Sequence, residues 1–302
     1  MMFRRLLVPL DGSRLAESVL PVVQRSAGLF ECVITLLHVI EKKAPSSIHG
    51  DTHLRDSGEA ERYLAGIAEQ LKAAGLQVEC HVHEAPQGDV PRCIAEHARE
   101  LDQDLIVLCT HGMGGMRRLV FGSNAEQVLT HGATPVMLIQ PNDQGMACPF
   151  GPERILVLIE NAVATSPALA ISEELASLAR ARLVLLAVVP TLTSMSAEQA
   201  ASGRFTPRTT RHILELTAEE TASSLQKEVD RLIADEILAS GKVGRGAAAA
   251  VLVEAAHEVN ADLVVIAARG LAGLSAFWAD AITRKVAAAY PCTLLLVPCE
   301  TR

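Results

Sequence analysis

Short apolar runs alternate with longer amphipathic stretches along the whole chain. The runs at residues 5–10, 32–39 and 105–108 are too short for helices and end at polar or glycine residues. Such runs are typical of strands that are buried on both faces of a parallel sheet. Residues 57–74, in contrast, place apolar side chains at helical spacing. The alternation predicts an α/β fold, because strands separated by helices form parallel sheets through right-handed crossovers.

The first half of the chain contains a complete set of alternating elements. Residues 41–56 are predicted to form a long loop, since they are polar and include Pro45 and Gly50. The order β-α-β-α-β-α-β-α-β predicts a doubly wound domain with a five-stranded parallel sheet and helices on both faces. The predicted strands are residues 5–10, 32–39, 78–83, 105–108 and 136–139, and the predicted helices are 14–27, 57–74, 90–99 and 123–131.

The second half of the chain repeats the first. Residues 154–159 (RILVLI) correspond to residues 5–10 (RLLVPL). Residues 260–274 (NADLVVIAARGLAGL) correspond to residues 102–116 (DQDLIVLCTHGMGGM) at an offset of 158. Repetition over this length predicts that the same structural unit occurs twice.

The repeat predicts two tandem domains. Residues 1–141 form the first domain and residues 154–302 the second, and residues 142–153 form a linker rich in Gly, Pro and polar residues. The weakest part of the second domain is its third strand, expected near residues 238–250, where glycine and alanine dominate.

Composition narrows the class of protein. Of the 302 residues, 49% are hydrophobic but only 3% are aromatic, so the cores are expected to be aliphatic. The net charge of -8 argues against a nucleic-acid partner. The apolar runs are too short for a membrane span. The seven cysteines show no paired spacing, which favours a reducing, cytoplasmic location.

A glycine-rich loop follows the fourth predicted strand. Gly112, Gly115 and Gly122 lie in this loop, and a helical pattern starts at Ser123, which has capping-box spacing to Glu126. Glycines let a ligand approach the backbone, and free N–H groups at a helix N-terminus favour phosphate. The spacing is neither that of the dinucleotide-binding motif nor that of a Walker loop.

An acidic residue follows the first predicted strand, at Asp11 in the sequence Asp11-Gly12-Ser13. In open α/β sheets, ligands bind at the carboxyl ends of strands, where the strand order reverses. One carboxylate together with one glycine-rich anion site suits a nucleotide, because the carboxylate can bond sugar hydroxyls while the loop binds phosphates.

These motifs resemble the universal stress protein family in its tandem form. The spacing of Gly112, nine residues, then Gly122-Ser123 matches the family motif. The resemblance implies an adenine nucleotide α-hydrolase-like fold and ATP binding, with Mg²⁺ as a possible companion. It assigns the nucleotide-binding Asp to Asp11 and the adenine-contacting backbone to Val39, and it places the first motif glycine on Cys109.

The nucleotide contacts implied for the first half lie at three carboxyl ends of strands.

The second half departs from the motif: Asp11 is replaced by Glu160, and Gly122-Ser123 by Asp280-Ala281. A carboxylate in the place of the phosphate repels it, so we predict one nucleotide per chain, in the first half. The candidate residues are Pro9, Asp11, Ser13, Val39, Leu108, Cys109, Gly112, Gly115, Gly122, Ser123 and Asn124.

Three functional hypotheses remain open. The first is a regulatory ATP-binding module without efficient chemistry, the second a slow ATP hydrolase or transferase, and the third a scaffold with a vestigial nucleotide site. Phosphate could be contacted by Arg117 and Arg118, and a general base could be supplied by His111. His81 and His83 share one face of a strand and could bind a metal, although the sequence supplies no third ligand.

The last strand of each half is a candidate for association. Residues 136–139 and 294–297 are apolar and are expected at sheet edges, and unpaired apolar edges favour pairing. We predict that they pair antiparallel within one chain and form an internal pseudo-dimer of the two domains. Homodimers are also possible, and the sequence does not identify a protein partner.

Overall fold

The computed structural model of the protein describes a discontinuous set of residues. The chain divides into two units. Unit 1 comprises Met1–Gly151, Arg269–Ala276 and Pro291–Arg302, and unit 2 comprises Pro152–Ala268 and Phe277–Tyr290. The described residues are 3–41, 47–48, 51–52, 54–85, 89–110, 123–141, 147, 150–159, 166–194, 207–269 and 274–299.

Unit 1 alternates strands and helices as the apolar pattern predicts. Its strands are β1 (Arg5–Pro9), β2 (Val33–Glu41), the short β3 (Ser47–Ile48) and β4 (Asp51–Thr52), β5 (Gln77–Ala85), β6 (Leu105–Cys109) and β7 (Val136–Ile139). Its helices are α1 (Arg14–Glu17), α2 (Leu20–Phe30), α3 (Ser57–Ala73), α4 (Val90–Glu100) and α5 (Ser123–His131).

The main sheet of unit 1 is parallel and has the strand order β5-β2-β1-β6-β7. From β1, the chain moves first to β2 on one side and later to β6 on the other side. The strand order therefore reverses between β1 and β6, and the carboxyl ends of these two strands flank a crevice of the kind that binds ligands.

Local chemistry explains where the first helix breaks. The sequence predicts one helix over residues 14–27, but the structure has α1 and α2, separated at Ser18 and Val19. Pro21 lies in the first turn of α2, where its missing N–H costs no helical hydrogen bond. The Ser18 hydroxyl donates to Leu15 O at 2.6 Å, which stabilises the break.

Unit 2 has the same alternation. Its four parallel strands follow the order β10-β9-β8-β11. The strands are β8 (Arg154–Ile159), β9 (Arg182–Val189), β10 (Ala239–Arg245) and β11 (Leu263–Arg269), and the helices are α6 (Pro167–Ala179), α7 (Pro207–Ala234), α8 (Ala248–Val259) and α9 (Leu274–Ala289).

The glycines of the third strand of unit 2 allow helices to pack closely on it. A Cβ added at Gly241 would lie 3.0 Å from Leu225 of α7. A Cβ at Gly244 would lie 2.1 Å from Val251 Cγ1 of α8. The low strand propensity of this segment thus reflects close helix packing rather than the absence of a strand.

The last strand of the chain, β12 (Thr293–Cys299), belongs to unit 1. It pairs antiparallel with β7, with Leu294 opposite Leu138 and Leu296 opposite Val136. This pairing was expected from the two apolar edge segments. Both strands are buried along the pairing, so the contact covers apolar edges that would otherwise meet solvent.

The structure confirms the α/β class and the mostly parallel sheet. The centres of the strands are aliphatic and buried, as Leu6, Ile106 and Leu156 illustrate with 0% exposure. Among the described helices, none combines the length and the apolar character that crossing a membrane requires.

Candidate functional site

The crevice between β1 and β6 brings together several of the candidate residues. Asp11 lies two residues after the end of β1, and Cys109 ends β6. The negative charge of Asp11 is close enough to affect the pKa of the Cys109 thiol. The sheet order thus places both at the point where open α/β sheets bind ligands.

The Asp11 carboxylate is held by the turn that follows it. Its Oδ1 accepts from the Ser13 backbone N–H (2.9 Å) and from the Ser13 hydroxyl (2.6 Å). Ser13 Oγ in turn accepts from the Ala16 N–H at 3.1 Å and caps α1. Ser13 is completely buried. Because Ser13 caps the helix and also fixes Asp11, the start of α1 determines the orientation of the carboxylate.

Gly12 makes this turn possible. Its φ of +88° lies in the left-handed region, which L side chains rarely adopt. A Cβ at Gly12 would also lie 2.9 Å from Leu54 Cγ. The connection between β2 and α3 therefore packs directly against the turn that carries Asp11.

The same connection also makes a polar contact with the start of α1. Asp51 Oδ2 accepts from the Arg14 backbone N–H at 3.0 Å, and Asp51 Oδ1 accepts from Arg14 Nε at 3.3 Å. The Arg14 side chain is 88% exposed, so this ion pair contributes little stability by itself. Its effect is to place a second carboxylate beside the Asp11 turn.

Cys109 is a half-buried, weakly acidic thiol. Its Sγ lies 3.4 Å from Ser18 Oγ and donates to Thr110 O at 3.2 Å. Burial raises the pKa of Cys109 to about 11, the Ser18 hydroxyl lowers it and the Asp11 charge raises it. The thiol thus packs against the α1–α2 junction, and it is a poor candidate for a redox-reactive group.

The carboxyl ends of β1 and β2 are fixed to each other. The Leu10 N–H donates to Leu37 O at 2.8 Å. His38 Nδ1 lies 2.7 Å from Leu10 O, and because a carbonyl only accepts, Nδ1 carries the proton. Val39 follows on β2 and is 7% exposed. Val39 pairs with His83 of β5, whereas the pairing of β2 with β1 ends at Leu37, so the backbone at this implied adenine contact is held by the ladder on the β5 side.

Pro9 and Leu108, the other two candidates on strands, are half-buried residues near the carboxyl ends of β1 and β6. Pro9 lies opposite Leu37 in the parallel register, and Leu108 lies opposite Leu138. Both therefore lie at the same edge of the sheet as Asp11.

Tyr63 is a residue of this region that the sequence analysis missed. It projects from α3, and its phenol lies close to Glu17, Asp11 and the Gly12 backbone. Burial, followed by the charges of Glu17 and Asp11, raises the pKa of Tyr63 well above its usual range. Its position next to Leu64 on an amphipathic helix predicts partial burial, but no sequence signal identifies its distant neighbours.

Most of the predicted phosphate loop lies outside the part of the chain that the structure describes. Gly112, Gly115 and Gly122 lie outside the described residues, as do His111, Arg117 and Arg118. The helix after the loop, α5, begins at Ser123 and includes Asn124. In the second half, Glu160 lies outside the described residues, and Asp280 lies in α9.

His81 and His83 do acquire a third histidine, His97 of α4. Even so, in the described part of the chain no His, Cys, Asp or Glu side chains form a group of three that could hold a metal ion. The metal hypothesis for His81 and His83 therefore has no structural support.

Comparisons with known proteins define the class. Over almost its full length, the chain resembles two solved α/β structures. One is a universal stress protein from Archaeoglobus fulgidus DSM 4304, with a TM-score of 0.68, 17% identity and coverage of 97% of this chain and 96% of that one. The other is a functionally unknown protein from Pseudomonas aeruginosa PAO1, with a TM-score of 0.70, 15% identity and coverage of 98% and 92%. These identities establish the fold alone.

Sequence comparison identifies the family. The sequence profile of the universal stress protein family matches residues 2–140 and again residues 152–298. Universal stress protein Sll1654 of Synechocystis is 30% identical over 139 residues, which are 46% of this chain and 86% of that protein. Universal stress protein YxiE of Bacillus subtilis is 24% identical over 153 residues and is matched over its whole length. The chain belongs to the universal stress protein family and carries two copies of its domain.

Proposed function

We propose that unit 1 binds one adenine nucleotide, ATP, and that the protein is a regulatory stress-response module in the cytoplasm rather than an efficient enzyme. The observation that supports this most directly is the position of Asp11. Its carboxylate lies at the reversal point between β1 and β6 and is oriented by two hydrogen bonds from Ser13. A preorganised carboxylate there suits ribose hydroxyls.

The rest of the nucleotide is assigned to elements that meet at the same edge. The backbone near Val39, held by its neighbours in the ladder, is proposed to contact the base. The glycine loop and the start of α5 at Ser123 are proposed to bind the phosphates. Mg²⁺ would enter with the nucleotide, because this ion is usually bound through phosphates and few protein carboxylates.

Cys109 is compatible with this arrangement, although the family motif has glycine there. Its side chain packs towards Ser18 and Thr110, under the α1–α2 junction. A side chain accommodated in that direction leaves the backbone of the strand end accessible to a ligand. We therefore propose that Cys109 modifies the shape of the site without abolishing it.

Isothermal titration calorimetry with ATP tests the proposal, with and without Mg²⁺. We expect one site per chain, and Asp11→Ala should lower affinity by at least about tenfold because a charged hydrogen-bonding group is lost. Glu160→Ala, the counterpart in the second half, is the matched control and should leave affinity unchanged. Two equivalent sites, or an effect of Glu160→Ala alone, would contradict the assignment.

Two other outcomes correspond to the remaining hypotheses. Single-turnover hydrolysis that is lost in Asp11→Ala would indicate an enzyme, contrary to the proposal. Absence of binding at millimolar ATP would indicate a scaffold with a vestigial site. Size-exclusion chromatography of the same samples would show whether the chain also forms homodimers.

A further inference from the structure

Three histidine side chains meet between β5 and α4 in unit 1. The ring centroid of His97 lies 4.2 Å from that of His83 and 5.0 Å from that of His81. His81 and His83 are two residues apart on β5 and share one face of the strand. His97 comes from α4 and is 5% exposed. The nucleotide assignment gives this three-histidine cluster no role.

The hydrogen bonding of His97 fixes the tautomer and the position of its ring. Its Nδ1 lies 2.9 Å from Cys93 O, one helical turn earlier on α4. Because a carbonyl only accepts, Nδ1 carries the hydrogen of the neutral ring. The ring of His97 is therefore fixed by its own helix, and it packs between α4 and the two imidazoles of β5.

Carboxylates near the cluster compensate only partly. Glu100 of α4 is exposed and interacts electrostatically with His81. Glu96 of α4 interacts electrostatically with His97, but its carboxylate is hydrogen-bonded to Arg92 at 2.9 Å. Burial first, then His97 and His83, lower the pKa of His81 below 6.5, while Glu100 opposes the shift.

Among the other charged residues of β5, Glu79 lies on the same face as His81 and His83, whereas Glu84 lies on the opposite face. Glu79 of β5 accepts from Arg5 at 3.0 Å, and Glu84 of β5 is exposed. Lys72 of α3 interacts electrostatically with the exposed thiol of Cys80. Strand alternation places Cys80 on the opposite face of β5 from His81 and His83.

The neighbouring strand adds no compensating negative charge beside the cluster. β2 places Leu37 beside His81 and Val39 beside His83 in the parallel register, so this side is apolar. His38 of β2 alternates to the opposite face and is bonded to Leu10 O. On the far side of α4, the sequence of α5 contains the titratable residues Glu126 and His131, and His131 is exposed.

We propose that the three-histidine cluster is an acid-sensitive latch, in which His81 packs against His97 and His83 and holds α4 against the end strand of the unit 1 sheet while His81 is neutral, and releases α4 when His81 is protonated. The sign follows from linkage. The pKa of His81 is lowered in the closed state, so His81 binds a proton more readily when the cluster opens. The closed state is therefore most stable above about pH 6.5 and loses stability as the pH falls.

The latch is placed to affect the nucleotide site, a step that rests on the proposed function. Val39, the proposed base contact, is the register partner of His83. On its other side, α4 packs closely on the end of α5, where a Cβ at Gly132 would lie 3.2 Å from Ala95 Cβ. Opening of α4 would thus disturb both the base end and the phosphate helix, and acidification should weaken nucleotide binding.

Hydrogen exchange of the full chain, followed by mass spectrometry at pH 7.5 and 5.5, tests the latch. After correction for intrinsic exchange rates, protection of peptides from β5 and α4 should fall at pH 5.5 by at least about fivefold. Peptides from α8 in unit 2 should change much less. Equal protection of β5 and α4 at the two pH values would overturn the proposal.

Variants separate the latch from general acid sensitivity. His81→Gln combined with His83→Gln should keep wild-type protection at pH 7.5 and remove most of the loss at pH 5.5. His131→Gln, an exposed histidine of the same unit, should behave as wild type. An unchanged loss in the double variant would refute the latch, and His81→Gln alone, with a smaller expected rescue, serves if the double variant does not fold.

Calorimetry with ATP at the same two pH values tests the coupling. Weaker binding at pH 5.5, restored in the double variant, supports it. Binding that does not depend on pH while α4 opens would refute the coupling but not the latch. Absence of ATP binding at pH 7.5 would refute the proposed function, whereas the latch is decided by the exchange data alone.

Discussion

The Asp104 side chain holds the backbone of Arg5 from 99 positions away in the sequence. Its Oδ2 accepts from the Arg5 N–H at 3.0 Å and from the Arg4 N–H at 2.7 Å. Unit 2 repeats this contact, with Asp262 accepting from the Arg154 N–H at 3.1 Å. In both units a carboxylate just before one central strand fixes the first residue of its neighbour, and so fixes the register beside the reversal point.

We expect Asp104→Asn to destabilise unit 1 by about 1–2 kcal/mol, since a charged acceptor shared by two backbone donors is lost. The free energy of unfolding from urea denaturation measures this. Asp102→Asn is the control, because Asp102 is exposed and has a φ of +48°, a conformation that asparagine tolerates. Equal effects of the two changes would show that the loss of stability comes from the change in net charge, not from the hydrogen bonds of Asp104 to the Arg4 and Arg5 backbone.

Ser13→Ala should affect both stability and binding. The hydroxyl caps α1 and also holds Asp11, so its loss should cost about 1–2 kcal/mol and lower ATP affinity by about tenfold. Ser166 is at the N-cap of α6 without a side-chain cap bond, so Ser166→Ala should change neither. Denaturation and calorimetry on the two variants provide the comparison, and a loss of stability without a loss of affinity would show that Ser13 does not orient Asp11 for the ligand.

Gly12→Ala should destabilise the protein by about 1–2 kcal/mol, because an L residue is strained at a φ of +88° and its Cβ would meet Leu54. Gly28 lies in α2 with no atom within 4 Å of an added Cβ, so Gly28→Ala should stabilise by about 0.5–1 kcal/mol. Thermal unfolding of the two variants gives opposite shifts if this is correct. A neutral Gly12→Ala would mean that the turn can relax.

The sequence was sufficient to predict most strands, because their apolar runs are short and bounded. The boundaries of β7 and β8 agree with the apolar runs to the residue. The split of the first helix at Ser18 was missed, since its apolar periodicity continues across the break. The strand near Gly241 and Gly244 has weak propensity, and the close helix packing that explains it is a tertiary property.

The site was predictable only where a single segment carries it. Asp11 and Ser13 lie in one turn, so their contact is local. Tyr63 and His97 reach their neighbours through packing of α3 and α4 on the sheet, and the spacing of residues along the chain does not specify which side chains meet there. Contacts between elements of this kind require the folded arrangement.

Cys109 should react slowly with alkylating reagents. A pKa of about 11 leaves roughly one thiolate in a thousand at pH 8, so carboxamidomethylation by iodoacetamide should be about a hundredfold slower than for a free thiol with an ordinary pKa. Mass spectrometry of the Cys109 peptide over time measures the rate. The exposed Cys80 in the same sample is the internal reference for accessibility, although burial of its thiol raises the pKa of Cys80 as well. Unfolding in urea should bring Cys109 to the ordinary rate. Labelling of folded Cys109 as fast as Cys80 would show that the thiol is accessible from the crevice and that it does not pack under the α1–α2 junction.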